Sequence, residues 1–202
     1  MGRVRAYVGL GANLGDAAGT LQAAIHALGA LPDVRLRGVS RLYATEPVGV
    51  VDQPEFRNAV AALDVPGGSR PEDGALALLV ALKRVERAFG RQRRERWGPR
   101  EVDLDLLVFG RHRIEAVRPL EGRSGDPVKA SLPLTVPHTE ARNRLFVLAP
   151  LADLAPGLVP PGWGESVATA RKRQLAVEGP AAARPIAHWD GADWDPEDGM
   201  RP

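Results

Sequence analysis

The 202-residue chain contains no cysteine, so disulfide bonds, thiolate metal ligands and a cysteine nucleophile are excluded. Any metal ion must therefore be held by oxygen or imidazole ligands. Long apolar runs are also missing, since none approaches the roughly 20 residues that a membrane-spanning helix needs. The first residues lack the apolar stretch of a secretory signal. We therefore expect a cytoplasmic protein with no membrane partner.

An excess of one charge is lacking too, because 27 lysines and arginines are balanced by 25 aspartates and glutamates. The formal net charge of +2 does not favour a uniformly basic surface for nucleic acid. Basic residues are instead concentrated between Arg84 and Arg100. The apolar fraction of 44% and the charged fraction of 26% are typical of a globular domain with one core.

Hydrophobic periodicity predicts a regular order of strands and helices. Strands are predicted at residues 4–10, 34–45, 56–65 and 102–109, and helices at 20–31 and 69–89. Asp16 is the expected N-cap of the first helix, Gly38 a bulge in the second strand, and Gly90 the end of the second helix. The order β-α-β-β-α-β predicts an α+β fold of the ferredoxin-like type, with helices packed on one face of an antiparallel sheet.

The predicted domain covers residues 1–176 and is followed by a C-terminal extension. Residues 118–131 are rich in glycine, proline and charge, which indicates a surface insertion. A last helix is predicted from Ser166 to Ala176. Residues 177–202 are rich in proline, glycine and aspartate and contain Trp189 and Trp194. We expect this tail to be mostly mobile.

The strand at residues 102–109 carries two acidic side chains. Successive residues of a strand point to opposite faces, so Asp103 and Asp105 share one face, with Cα atoms about 6.6 Å apart at roughly 3.3 Å per residue. Two carboxylates at this spacing repel each other unless a cation lies between them, and oxygen ligands suit Mg²⁺. The alternative is the polar face of an edge strand. We interpret the pair as a magnesium site.

The residues before that strand, RQRRERWGPR at 91–100, form either a solvated charge run or a phosphate-binding segment. Arginine side chains neutralise phosphate oxygens, often with two hydrogen bonds. Trp97 and Gly98-Pro99 are interleaved with the arginines, and the run leads directly into the paired aspartates. The pattern therefore favours nucleotide phosphate chemistry.

The glycine-rich stretch GLGANLG at residues 9–15 lies between a predicted strand and a predicted helix. A dinucleotide-binding fingerprint needs parallel strands in a βαβ unit, whereas residues 34–45 enter a hairpin. A P-loop is excluded, because no glycine in the chain is followed by Lys-Ser or Lys-Thr. We interpret this stretch as a strand that ends in a tight turn.

Phe56 and Asn58 open the strand at residues 56–65 and share one of its faces. A flat heterocycle can stack on the ring of Phe56 while the amide of Asn58 binds its donor and acceptor edge. Packing in the core is the alternative for Phe56. The pattern is compatible with a pocket for an aromatic substrate.

Four segments taken together are specific: GLGANLGD, YATEPVGVVDQPEFRNAVAAL, ERAFGRQRRERWGPREVDLDLLVFG and LTVPHTEARNRLFVLAPL. They resemble the 6-hydroxymethyl-7,8-dihydropterin pyrophosphokinases of folate biosynthesis, over residues 4 to about 160. The resemblance implies a ferredoxin-like fold and transfer of pyrophosphate from ATP to the hydroxymethyl group of the dihydropterin, with release of AMP. We therefore expect ATP as co-substrate, two Mg²⁺ ions, no nucleic-acid partner, and a monomer or weak dimer.

The resemblance also assigns roles by position. Asp103 and Asp105 match the metal ligands, and Arg91 and Arg100 match arginines that assist the transfer, next to a lid that closes over ATP. The positions of the ATP site are Lys83, Glu86, Arg93, Arg96, Trp97, Leu106, Thr135, His138, Thr139 and Arg144. The positions of the pterin pocket are Thr45, Val48, Phe56, Asn58 and Phe146, with Phe56 and Phe146 on the two sides of the ring.

The sequence departs from the family pattern near the nucleotide. Lys83 stands where some relatives have glutamine, and Pro133 where some have an arginine. The basic residues of the insertion are candidates to replace that arginine, and they are Arg118, Arg123 and Lys129. The lid is one residue shorter than in some relatives, so its role falls to either Arg93 or Arg94.

Two readings from other functional classes stay open. One is a nucleic-acid-binding module that uses the cluster between Arg91 and Arg100, with affinity that depends strongly on salt. The other is a nucleotide sensor without catalysis on the same fold. AMP formation from MgATP and the pterin distinguishes both from the enzyme.

Overall fold

The computed structural model describes residues 2–47, 53–90, 101–123 and 131–196. The strands are β1 (Arg3–Ala12), β2 (Arg35–Val39), β3 (Leu42–Thr45), β4 (Phe56–Pro66), β5 (Asp103–Phe109), β6 (Ile114–Ala116), β7 (Leu134–Val136), β8 (Arg184–Trp189) and β9 (Trp194–Pro196). The α-helices in these ranges are α1 (Ala17–Gly29), α2 (Pro71–Ala88), α3 (Leu145–Leu154) and α4 (Val167–Glu178).

Seven of the strands form one antiparallel sheet in the order β5-β1-β4-β3-β8-β9, with β2 also paired to β4. Strands β6 and β7 form a separate antiparallel ribbon. Strand β5, which carries both aspartates, is therefore at one edge of the main sheet. The predicted antiparallel sheet with packed helices is confirmed.

Strands β2 and β3 occupy successive stretches of the same edge of β4, where the sequence predicts one strand at residues 34–45. The interruption lies at Ser40, whose backbone N–H donates to Val60 O at 2.9 Å. The Ser40 hydroxyl oxygen also accepts from Val60 N at 2.9 Å, so a side chain replaces a backbone carbonyl in the ladder. The bulge expected at Gly38 is confirmed by a register shift between Leu36 and Gly38.

Helices cover both faces of the sheet rather than one face as predicted, because the chain after β7 adds two helices on the second face. On one face, α1 and α2 bury Leu21 and Leu82 against a cluster that includes Leu10, Leu63 and Leu104. On the other face, the side chains that pack together belong to the sheet, to α3 and to the chain around α4, and include Tyr7, Val60, Leu107, Leu148, Leu151, Trp163 and Val167. This second layer does not extend over the exposed start of β5, where Asp103 is only partly buried.

Local signals explain where the helices begin and end. Asp16 caps α1, because its Oδ1 accepts from Gly19 N at 2.9 Å. At the start of α2, Oδ2 of Asp73 accepts from Arg70 N at 3.2 Å and so satisfies a backbone N–H at this end of the helix. Gly90 follows α2 with φ +79°, a left-handed conformation that favours glycine.

The C-terminal extension differs from the predicted mobile tail. Strand β8 pairs with β3, β9 pairs with β8, and the ring of Trp189 contacts those of Trp194 and His26. The physical reason is that β3 offers unpaired backbone groups on its outer side, and a later strand satisfies them. In the ranges given above, no helix combines the length and apolar character needed to cross a bilayer.

Candidate active site

The paired aspartates lie at the start of β5 on one face. Asp103 and Asp105 are partly exposed, whereas Leu104 and Leu106 are 0% and 3% exposed and point into the layer of α1 and α2. The strand alternation predicted from sequence is therefore confirmed. Because β5 is an edge strand, both aspartates lie at the margin of the main sheet rather than in its centre.

Glycines of β1 lie opposite both aspartates. Gly11 pairs with Asp103 and Gly9 with Asp105, so the neighbouring strand presents no side chain beside either carboxylate. A Cβ added at Gly11 would lie 2.9 Å from Asn58 Oδ1, closer than real Cβ contacts allow. Gly9 and Gly11 thus keep the sheet surface beside the aspartates free of side chains, a role that their i, i+2 spacing suggests once the strand pairing is known.

The carboxylates of Asp103 and Asp105 form a donor set that fits magnesium. Within the described ranges, no group of three or more His, Cys, Asp or Glu side chains gathers to hold a metal ion. Asp103 and Asp105 supply two carboxylates on one strand face, and a metal ion held by them would take its other ligands from water or substrate oxygens. Mg²⁺ is commonly bound by one or two carboxylates together with substrate phosphates.

A buried ion pair of α2 lies behind β5. Lys83 Nζ is 2.6 Å from Glu86 Oε1, and the two residues are 3% and 1% exposed. Lys83 Nζ also donates to Leu104 O at 2.9 Å, and Leu104 N donates to Glu86 Oε1 at 2.7 Å. Both side chains were predicted at the ATP site, and the structure places them against the backbone between the two aspartates.

Arg118 adds positive charge near the same place. Its guanidinium is half-buried, and its Nε–H finds no hydrogen-bond partner in the part of the chain that the structure describes. Burial lowers the pKa of Arg118, while the carboxylates of Asp105 and Glu86 act in the opposite direction. Ala116 pairs with Leu134, so Arg118 and Pro133 lie just beyond the same end of the β6–β7 ribbon.

The turn after β7 runs along the outer edge of β5. His138 N donates to Leu107 O at 2.9 Å, which brings Thr135 and His138 beside that edge, and Thr139 follows at an exposed position. The side chain of Leu106 is buried, so a nucleotide contact there would have to come from its backbone. The predicted nucleotide positions Leu106, Thr135 and His138 are therefore neighbours of the platform formed by the two aspartates.

Arg144 lies at the N-terminal end of α3. Its guanidinium donates to Glu140 Oε2 at 3.2 Å and lies 5.7 Å from the centre of the Phe146 ring. This contact places a predicted nucleotide residue next to a predicted pterin residue. The start of α3 therefore lies where the two substrates would meet.

The predicted pterin residues that the structure describes lie at the end of β3, at the start of β4 and at the start of α3. Asn58 Nδ2 donates to Thr45 Oγ1 at 2.7 Å, and these residues are 8% and 3% exposed. Phe56 and Phe146 are both partly exposed. The registers place Asp103, Gly11 and Asn58 in one row across three neighbouring strands. In this row, only Gly11 lies between the carboxylate residue Asp103 and the amide residue Asn58.

Residues 53–55, which directly precede Phe56, form hydrogen bonds and ion pairs with other segments of the chain. Asn13 Nδ2 donates to Gln53 Oε1 at 3.0 Å and to Pro54 O at 3.1 Å. Glu55 forms ion pairs with Arg184 of β8 at 2.7 Å and with Arg57 at 3.2 Å. Burial alone would raise the pKa of Glu55, but the hydrogen bonds from the two arginines outweigh it and lower that pKa. No local pattern in the sequence predicts these contacts.

Six of the predicted site residues lie outside the described ranges. They are Val48 of the pterin pocket and five residues of the arginine-rich segment, Arg91, Arg93, Arg96, Trp97 and Arg100. Their assignments, and the choice between Arg93 and Arg94, stay predictions.

Comparison with known proteins complements this geometry. Residues 7–156 match the family model described as 7,8-dihydro-6-hydroxymethylpterin-pyrophosphokinase, or HPPK. The chain belongs to this family. The matched HPPK region begins within β1, contains β2 to β7 and all of α3, and includes every site residue discussed above except Arg184.

Curated HPPK relatives are similar over most of their length. A 2-amino-4-hydroxy-6-hydroxymethyldihydropteridine pyrophosphokinase of Pseudomonas aeruginosa is 44% identical over 154 residues, which are 76% of this chain and 82% of that protein. The enzyme of the same name from Methylorubrum extorquens is 39% identical over 155 residues, covering 77% and 85%. The one from Bacillus subtilis is 38% identical over 149 residues, covering 74% and 77%.

Solved structures show the same fold at low sequence identity. The chain superimposes on Plasmodium falciparum HPPK-DHPS A437G with a TM-score of 0.71 and 13% identity, covering 96% of this chain and 46% of that one. The wild-type form gives a TM-score of 0.69 and 13% identity, with 96% and 50% covered. This chain therefore spans about half the length of these Plasmodium chains, and the likeness concerns the fold alone.

Proposed function

We propose that this protein transfers pyrophosphate from MgATP to the hydroxymethyl group of 6-hydroxymethyl-7,8-dihydropterin, giving the pterin diphosphate and AMP in folate biosynthesis. The row Asp103, Gly11 and Asn58 carries the proposal. It supports the proposal because a metal-binding Asp103 and a pterin-binding Asn58 would then act on one stretch of sheet, as a transfer between two bound substrates requires. Membership in the HPPK family supports the same reaction.

The residues of the platform act on the phosphates. Asp103 and Asp105 would hold two Mg²⁺ ions, which when bound neutralise the triphosphate charge and orient the attacking oxygen. The guanidinium of Arg118, which lies near Asp105, would bind a phosphate oxygen, and we assign it the place of the arginine that is absent at Pro133. Arg123 is exposed, which makes it the weaker candidate, and Lys129, the third candidate, lies outside the described ranges.

The residues of the pocket orient the acceptor. One N–H of Asn58 is held by Thr45, so its carbonyl oxygen and second N–H face a ligand in a fixed orientation. Phe56 and Phe146 would flank the pterin ring. With the hydroxymethyl group positioned toward the platform, the reaction needs placement and charge neutralisation rather than a protein nucleophile.

Further assignments rest on the family resemblance. Arg91 and Arg100 would assist the transfer, Val48 would line the pterin pocket, and Arg93, Arg96 and Trp97 would form a lid that excludes water. Thr135, His138, Thr139 and Arg144 would contact ATP. We also propose a ferredoxin-like core in which β2 and β3 together form the second strand, and a cytoplasmic monomer or weak dimer.

The deciding experiment follows AMP by chromatography after mixing the protein, MgATP and the pterin, with and without a chelator. We expect AMP and pterin diphosphate in equal amounts, and neither product when the chelator is present. ATP binding without any AMP would instead support a nucleotide sensor. Salt-sensitive oligonucleotide binding without AMP would support the nucleic-acid module.

A further inference from the structure

The buried pair of α2, Lys83 and Glu86, meets an edge strand at one residue. Among the described residues, β5 pairs in the main sheet with β1 alone, so backbone groups on the outer side of β5 have no strand partner in that part of the chain. At Leu104 the partners are side chains: Glu86 Oε1 accepts from Leu104 N at 2.7 Å, and Lys83 Nζ donates to Leu104 O at 2.9 Å. Two side chains thus replace the missing strand at this position.

The contacts at Leu104 are important because of its position in β5. Leu104 lies between Asp103 and Asp105, so holding its N–H and C=O fixes the backbone from which both carboxylates project. A platform for divalent ions depends on the separation and orientation of its carboxylates, and groups behind the ligands commonly tune metal affinity. The Leu104 side chain is 0% exposed, which fixes the strand from its other face as well.

Burial argues against a direct role in substrate contact. Lys83 and Glu86 are 3% and 1% exposed, and their charged atoms are 2.6 Å apart. Each charge therefore compensates the other in a place that excludes water, and separating them to reach a ligand would leave a buried charge alone. Apolar residues at both positions would pack well but would leave the N–H and C=O of Leu104 without partners.

We propose that the Lys83–Glu86 pair is a positioning device that sets the divalent-ion affinity of Asp103 and Asp105 through the backbone of Leu104. The pair controls how tightly the platform binds metal, and it does not contact the nucleotide. This inference rests on the proposed function of the two aspartates.

The test compares Lys83→Met, Glu86→Gln and the double variant Lys83→Met/Glu86→Gln with Arg84→Met, a control at an exposed position of the same helix. Mn²⁺ binding is measured by electron paramagnetic resonance of the free ion, in the presence of a non-hydrolysable ATP analogue. The Mg²⁺ dependence of AMP formation and the KM for ATP at saturating Mg²⁺ are measured in parallel.

We expect each single variant to bind Mn²⁺ about 10-fold or more weakly, in the range typical of groups behind metal ligands. The double variant should recover part of this loss, because the amide introduced by Glu86→Gln would still accept from Leu104 N and no buried charge would be left alone. The KM for ATP at saturating Mg²⁺ should stay within about twofold of the wild type, as should every parameter of Arg84→Met.

A raised KM for ATP with unchanged Mn²⁺ affinity would overturn the inference in favour of direct nucleotide contact. Amide hydrogen exchange of the wild-type protein without metal provides a check that needs no variant, should the substitutions prevent folding. The Leu104 amide is expected to exchange slowly despite its place on an edge strand, and rapid exchange there would refute the contact with Glu86.

The outcomes separate this inference from the proposed function. If the wild-type protein forms no AMP, the proposed function fails, while Mn²⁺ binding and amide exchange still report on the contacts at Leu104. If AMP forms and Lys83→Met leaves the metal dependence unchanged, only the positioning role is lost.

Discussion

The two halves of the site are held in place by different forces. The platform on β5 is supported from behind by a buried ion pair that hydrogen-bonds the backbone of Leu104. The acceptor pocket is held by a neutral hydrogen bond between Asn58 and Thr45 and by surface ion pairs of Glu55. Buried charge is costly to separate, whereas surface pairs contribute little. The comparison indicates a stiff metal platform beside a more adaptable pocket.

The chemistry of each half accounts for this difference. Two carboxylates on one strand face repel each other, so their backbone must resist that repulsion until cations arrive. A planar heterocycle needs only a flat space and a few directed polar groups. Four substitutions, taken from the largest expected effect to the smallest, test whether the two halves respond separately.

Asp105→Ala should nearly abolish AMP formation while the protein stays folded. Removal of a platform carboxylate takes away half of the protein's metal ligands at this site, and we expect kcat/KM to fall at least about 1000-fold, a loss of roughly 4 kcal/mol of transition-state stabilisation. The measurement is AMP release together with thermal unfolding. Glu115→Ala, at an exposed position of β6, is the matched control. Unchanged turnover in Asp105→Ala would contradict the platform.

Gly11→Ala should affect the acceptor half selectively. The added Cβ would lie 2.9 Å from Asn58 Oδ1, so the amide must move away from the position that Thr45 now fixes. A displacement of this kind costs about 100-fold in kcat/KM for the pterin, and the KM for ATP should change by less than about threefold. Steady-state kinetics with each substrate varied in turn gives both values.

Gly2→Ala is the matched control for that substitution, because a Cβ at Gly2 meets nothing within 4 Å. An equal loss for ATP and pterin in Gly11→Ala would show that the two halves are coupled through β1. That result would end the distinction between a stiff platform and a separate pocket.

Arg118→Gln should weaken ATP binding without changing pterin binding. Loss of a charge-assisted hydrogen bond corresponds to about 1.5–3 kcal/mol, or roughly 10- to 100-fold in the KM for ATP. Arg123→Gln removes a basic residue that is exposed and serves as the comparison. If Arg123→Gln has the larger effect, the assignment of the replacement arginine moves to Arg123.

Arg184→Gln should have the smallest effect, on stability alone. The Arg184–Glu55 pair is 47% and 40% exposed, so its loss should cost less than about 1 kcal/mol in urea unfolding at neutral pH. Arginine contacts lower the folded-state pKa of Glu55, so this contribution is present above the unfolded pKa and is lost as the pH falls through the folded value. The difference from wild type should therefore vanish in acid, below the folded pKa of Glu55. A difference that persists there would have another cause.

Local sequence signals predicted most of the secondary structure. The cap at Asp16, the bulge at Gly38 and the end of α2 at Gly90 each depend on a few neighbouring residues, and all three are confirmed. The alternation around Leu104 likewise follows from a two-residue period. The extension was mispredicted because β8 is defined by its pairing with β3, more than a hundred residues earlier, which composition does not reveal.

The same limit applies to the site. The spacing of Lys83 and Glu86 shows that they lie one turn apart on α2, but their common partner, Leu104, is brought there only by tertiary packing. Likewise, Gly11 became informative only when strand pairing put it between Asp103 and Asn58. Residue types were predicted well, whereas contacts between distant segments were not.

The aromatic contact at the end of the sheet offers an optical signal. The rings of Trp189 and Trp194 lie edge to face, with centroids 5.1 Å apart and planes at 77°. Two indoles this close share their electronic excitation, which splits their absorption and gives a paired circular dichroism band. Because one ring belongs to β8 and the other to β9, that band disappears when the hairpin separates. Circular dichroism can therefore report whether β8 and β9 remain paired, separately from any measurement of activity.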